Sequence, residues 1–260
     1  MDNPRFWRLA LPVIAVCLFL LGWSWYVRAA EVSAFVLPTP EAILMALIAL
    51  VQDPELWRHA RVTVIEAVSG FAIAVTLGVV LGVVMARVPP VEWAAKPFIV
   101  LLQLIPKIAL APLFILWFGF GLESKIVIAA ALAFFPIFSN ALIAFKSVEK
   151  GDADVMTMLQ ASPAQRFVLL ELPHALPVVL TGMEVSVVMA MIGAIVGEFI
   201  GGNEGLGFLA VKYLQELNVP NLFAVIVVLT LVGLTLYTVI GRLRAWAVPW
   251  HAASSGKQAA

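Results

Sequence analysis

Lys107, Glu184 and Glu198 are ionisable residues set deep in long apolar runs. A charge in hydrocarbon is costly, so such side chains turn to a bundle interior or to water, and they pair or mark a path for ions and solutes. The chemistry open to these three is electrostatic. They either line or gate a path, or they tie helices together. Glu184 and Glu198 are fourteen residues apart, which places them on nearby faces of one helix. Glu198 reads either as a lining or gating residue or as an interface residue wetted at the outer end. Lys107 follows Pro106, where a helix loses a backbone donor, and pairing of Lys107 with a glutamate is one option. Covalent and metal chemistry have little support. His59, His174 and His251 form no ligand motif, Cys17 is the single cysteine, and neither H-E-x-x-H nor G-x-S-x-G occurs. The phosphate cradle G-x-x-x-x-G-K-[ST] is missing too, so the expectation is a non-enzyme with no metal and no cofactor of its own.

A second set of polar residues is out of place in a different way. The stretch LQASPAQRFVLLELPHALP, residues 159–177, brings glutamine, serine, arginine, glutamate, histidine and three prolines into an oily chain. Asp152 and Asp154 suit a helix N-terminus, and Val155, Met158 and Leu159 give that helix an apolar face. Ser162 caps and Pro163 opens a second short helix over Ala164–Leu170, after which Pro173 and Pro177 re-aim the chain. Two short amphipathic helices at an angle either dock into a groove on a soluble partner or lie on the membrane surface.

The elements that must position these residues follow from hydropathy. The chain of 260 residues is 63% hydrophobic and only 12% charged, with a mean hydropathy of +1.03. Soluble domains carry about 25% charged residues, so this one belongs in a bilayer. Its net charge of zero gives no argument for nucleic acid. Six runs are long enough to span: Leu9–Val27, Val62–Ala86, Ala94–Phe118, Lys125–Phe145, Leu176–Ile200 and Leu222–Ile240. The first is too long for a signal-peptide core and reads as a retained anchor. Pro40–Val51 is too short to span and reads as an interfacial or packed helix. The expected division is an anchor helix over 1–36, a transmembrane domain over 37–250 with its polar loop at 149–173, and a tail over 251–260. Lys and Arg fall ten to five in favour of both termini in the cytoplasm, which puts that loop on the cytoplasmic side. Small residues recur every four positions as Gly70, Ala74, Gly78, Gly82 and Ala86, and as Gly182, Ser186, Ala190 and Ala194. Such stripes allow close helix contact, within one subunit or at an interface.

The polar loop resembles the cytoplasmic EAA loop of bacterial ABC importer permeases. Asp154, Val155 and Met156 stand in the first three places, Gln160 in the glycine place, and Leu170, Leu172 and Pro173 at the end. The stretches LPTPEAIL, LLQLIPKIALAPLFILWFGFGLESKI, FFPIFSNAL, LPHALPVVLTGM and IGAIVGEFIGGNEGLG extend the likeness to the permeases of the nitrate, sulfonate and taurine importers. The resemblance implies an all-α, type I importer bundle of six transmembrane helices with cytoplasmic coupling helices, working by alternating access in the bacterial inner membrane. It implies a pair of ATPase subunits that bind the ATP, a second permease copy or homologue, and a periplasmic or lipid-anchored binding protein. Contact with the ATPase falls to Asp152, Asp154, Met158, Gln160, Ala161, Ser162, Arg166, Leu172 and Pro173. The cargo it implies is a small, mostly anionic solute such as a sulfonate, nitrate, an aromatic acid or a vitamin precursor. An ion-coupled carrier or channel using Lys107, Glu184 and Glu198 is the competing reading.

Overall fold

The computed structural model describes residues 4–250, and the tail 251–260 lies outside them. Among the described residues every regular element is helical. The reason is the solvent implied by the composition: in hydrocarbon a backbone must satisfy its own polar groups, and a helix does so within one segment.

Helix α1 runs over Pro4–Ala29 and α2 over Pro40–Val51, the latter capped by Thr39, whose hydroxyl accepts from the Ala42 N–H at 3.3 Å. Helix α3, Pro54–Arg87, is the longest element at 34 residues, or about 51 Å at the helical rise. Asp53 caps it and Arg87 ends it. Helix α4 spans Pro89–Leu104 and α5 spans Ala111–Phe118; α6 is Leu122–Lys146 and α7 is Lys150–Met158. The short α8, Pro163–Arg166, leads through a π turn at Phe167–Glu171 into α9, Leu172–Gly201. Helices α10, Leu206–Gln215, and α11, Val219–Ala247, complete the chain.

Five of these helices are long and apolar enough to cross a membrane, and the α4–α5 pair makes a sixth if it is one broken span. Here the sequence expectation is corrected. Ala94–Phe118 is not one helix: it bends by 84° between Leu104 and Lys107. Pro106 offers no N–H and forces Ile105 into an extended conformation (ψ 125°), and a 3-10 turn at Lys107–Leu110 restarts the chain. The second short helix of the polar loop is corrected as well. It does not stop at Leu170 but continues through the π turn into α9, where the Leu172 N–H reaches back five residues to the Phe167 carbonyl. Widening that turn makes room for Pro173, whose ring would otherwise collide with a carbonyl of the preceding turn.

Helix α6 is the centre of the bundle, with α3 and α9 packed against it. Both small-residue stripes serve this arrangement. A Cβ on Gly70 would come within 2.5 Å of the Ala129 Cβ and one on Gly182 within 2.7 Å of the Asn140 Cβ, while one on Gly193, next to the second stripe, would come within 2.6 Å of the Ala129 Cα. Ala129 is thus pinched between α3 and α9, and hydrogen there is the only substituent that fits. Around it Ala67, Ala74, Ala133, Ala190 and Ala194 are buried with Phe71, Val187 and Met191. Helix α1 stands at the edge and is mostly exposed, touching the rest through α2 and through Trp23, whose ring lies 6.2 Å from that of Phe223.

Candidate functional site

The two ends of the bundle carry the polar residues, and they are built differently. At the end where α3 begins and α9 finishes, α10 starts at a sharp backbone position, Gly205, with φ +105° and ψ 162°. That region of φ/ψ is open essentially to glycine alone. The first N–H groups of a helix have no partner within it. Here each finds an acceptor on another helix. Gly205 N–H donates to His59 Nδ1 at 3.0 Å, Leu206 N–H to Thr63 Oγ1 at 2.8 Å, and Gly207 N–H to Glu198 Oε2 at 2.6 Å. The Thr63 hydroxyl in turn donates to Glu198 Oε1 at 2.6 Å. Glu198 is 1% exposed, so it is not wetted; it is the side chain that joins α3, α9 and α10. Lys125 is also buried, and its ammonium donates to the carbonyls of Phe120 and of Gly201, the latter at 2.9 Å. Glu66 lies beside Glu198 and Lys125 with Oε2 buried and without a hydrogen-bond partner. On α10 itself, burial pushes the Tyr213 hydroxyl above its ordinary pKa, and the carboxylates of Asp53, Glu216 and Glu55 add to the shift.

At the opposite end lies the polar loop. Ser162 forms a capping box: its Oγ accepts from Gln165 N–H at 3.3 Å, and its own N–H donates to Gln165 Oε1 at 2.8 Å. Gln160 adopts φ +53°. The Ala161 N–H reaches the Met156 carbonyl and the Gln160 N–H the Thr157 carbonyl, each at 3.0 Å, which closes α7 with a Schellman turn. The left-handed geometry of the glycine place is therefore kept by a residue that has a Cβ, at a cost of about 1–2 kcal/mol. Asp152, Asp154, Val155, Met158 and Leu159 are exposed, Met158 by 85%. Ala161 and Arg166 are half-buried, and Leu172 and Pro173 lie in the first turn of α9. Behind the loop is a cavity of about 800 Å³ lined by Arg87, Lys146, Gln160, Arg166 and Glu171, among others.

The three ionisable residues picked from the sequence do not meet. Glu184 accepts from Arg244 Nη1 at 3.1 Å, tying α9 to α11. Glu198 belongs to the α10 network. Lys107 pairs with neither glutamate. Its ammonium stands 5.4 Å from the centre of the Phe135 ring, at a cavity of about 220 Å³ formed by the break between α4 and α5 and lined by Ile99, Leu102, Phe114 and Phe134. Sequence reasoning missed His59, Thr63, Glu66, Arg87 and Glu171. The signal for three of them was present: His59, Thr63 and Glu66 recur at helical spacing at the head of an apolar run.

Comparison with known proteins agrees with this architecture. The chain is 35% identical to the formylaminopyrimidine transport permease protein ThiX of Halalkalibacterium halodurans, over 95% of this chain and 98% of that one. It is 36% identical to the riboflavin transport system permease protein RibX of Chloroflexus aurantiacus, over 94% and 91%. Its fold matches an inward-facing structure of the MetNI methionine ABC transporter with a TM-score of 0.60 and 21% identity, over 80% of this chain and 98% of that one. Residues 74–251 match the family described as the binding-protein-dependent transport system inner membrane component. Apolar spans, small-residue packing and family match converge: the chain belongs to that family, and is a multi-pass permease subunit of an ABC importer of the nitrate, sulfonate and taurine group.

Proposed function

We propose that this permease is driven through residues 149–173 by a pair of ATPase subunits. ATP is bound by those partners, and the chain holds no cofactor and catalyses no reaction of its own. The observation that carries this reading is the exposed apolar edge at α7, Val155, Met158 and Leu159, flanked by Asp152 and Asp154 and left uncovered by the described residues. Such an edge suits a groove on a soluble partner. A second copy of the chain or a homologue completes the pathway, both termini are cytoplasmic, and a binding protein docks on the outer surface that includes Asn203–Pro220. Closure of the ATPases shifts the loop and rocks the bundle between outward-open and inward-open states.

The cargo in this reading is a small planar organic anion or vitamin precursor. Two observations support it. Relatives are named for formylaminopyrimidine and riboflavin, both flat nitrogen heterocycles. The cavity at the α4–α5 break pairs phenylalanine rings with the ammonium of Lys107, a surface that suits a flat ring bearing negative charge. Reconstitution into proteoliposomes with and without cognate ATPase and binding protein tests the scheme. ATP-dependent uptake only by the full assembly is the expected outcome. Uptake by the permease alone, or uptake that survives ATP depletion and collapses with the proton gradient, would overturn it in favour of an ion-coupled carrier.

A further inference from the structure

The loop between α6 and α9 has a weak joint on each side. Ser147–Glu149 has no regular structure, and Phe167–Glu171 is a π turn. A push on α7 would be absorbed in these joints unless another contact carried it onward. That contact is Glu171, a carboxylate in the π turn with only 12% of its side chain exposed. Arg87 places two donors on its Oε2, Nε at 3.1 Å and Nη2 at 2.5 Å, and Arg166 Nε donates to Oε1 at 3.1 Å. With both oxygens held by charge-assisted bonds from two arginines, the carboxylate is fixed in direction as well as distance. The Arg87 guanidinium carbon lies 4.4 Å from the centre of the Phe167 ring, and that ring stacks on Phe145 of α6 at 5.9 Å and 17°. Arg87 is the last residue of α3, where the helix dipole favours a cation. At the far end of the same helix, Thr63 binds Glu198 and Leu206.

We propose that Glu171, clamped by Arg87 and Arg166, is the positioning residue that makes α3 follow the polar loop, so that movement at the ATPase side reaches the Thr63–Glu198–α10 junction at the opposite end. The clamp sets how much solute crosses per ATP hydrolysed. It rests on the reading that the loop docks on the ATPase.

The test uses the complete importer in proteoliposomes, with Glu171→Gln, Arg87→Gln and the double variant, and measures uptake and ATP hydrolysis on the same sample. Each single variant is expected to lower solute imported per ATP about tenfold while hydrolysis continues, the upper range for residues that transmit coupling. Because the side chains act as a unit, the double variant should lose no more than either single one. A merely structural role would instead reduce the yield of assembled importer and leave that ratio unchanged. An unchanged ratio, or losses that multiply in the double variant, would overturn the clamp. A parallel Asp154→Cys cross-link to the ATPase separates the two ideas: if the cross-link forms and the ratio is unchanged, only the clamp falls. If no cross-link forms in the working importer, the docking reading falls and takes the clamp with it.

Discussion

The two ends of this bundle solve the same problem with opposite means. Each must fasten a short helix, the mostly apolar α10 or the polar α7, to the long helices. At the α10 end the fastening is dry: backbone N–H groups of α10 are bound by His59, Thr63 and Glu198, all nearly fully buried. At the loop end it is half-wet. Arg87 and Arg166 keep 40% and 43% of their side chains exposed while holding Glu171. A buried donor that loses its acceptor keeps its desolvation penalty, whereas an exposed one finds water. The dry end is therefore a fixed joint, and the wet end is a charge-assisted clamp that holds its carboxylate while its arginines keep one side in water.

The comparison breaks most readily at the dry end. Glu198→Ala would strand the Gly207 N–H and leave the Thr63 hydroxyl only the His59 carbonyl at 3.3 Å, and a loss of about 3 kcal/mol is expected. Thermal unfolding of the purified protein in detergent would read it; an unshifted midpoint would mean that the junction is not a fixed joint. Gly205→Ala should cost somewhat less, about 2 kcal/mol, from its positive φ alone. A Cβ there would also collide with the Glu198 carboxylate. Limited proteolysis at the start of α10 would report the loosening. At the wet end the sign reverses. Gln160→Gly should stabilise by about 1 kcal/mol, because it removes left-handed strain while giving back some chain entropy. Hydrogen exchange of the Gln160 and Ala161 amides measures this, and faster exchange would count against a strained Schellman turn.

The smallest effect lies at neither end of the core but between α1 and α2. Glu41 accepts from Ser24 at 2.8 Å and Arg28 at 3.1 Å. Its carboxyl is held below the ordinary carboxylate range, first by a backbone hydrogen bond at its own N–H and next by the Ser24 hydroxyl. A depressed value means that the tie is complete above the ordinary range and is lost as pH falls through the folded value. Fluorescence of Trp23 followed down an acid titration should show a small transition that Glu41→Gln abolishes. A transition of equal size in that variant would assign it elsewhere.

Several of these features could be read from the chain without its fold. Hydropathy marked the bilayer and the long helices, because spanning length and apolar content are local properties. The Ser162 cap could be read, because a capping box is written within four residues. Pro106 advertised a weak point, yet the size of the bend could not be had from it, since a proline only removes a donor and the neighbouring α6 decides where the chain goes next. The left-handed turn at Gln160 stayed undecided: the glycine place allowed it, but glutamine does not ask for φ +53°, and only the closing hydrogen bonds at the end of α7 fix it.

What the sequence determined alone was the solvent, the helical class and the few residues whose charge is expensive in that solvent. What the tertiary structure decided was the partner of each charge. Glu184 went to Arg244, Glu198 to the head of α10 and Glu171 to Arg87, at sequence separations of 60, 9 and 84. Desolvation requires that a buried charge find a partner, and that requirement can be read from one residue. Which partner it finds depends on helix crossings set by close contacts such as Gly70 and Gly193 on Ala129. Those are properties of pairs of helices, and no stretch of a single helix contains them.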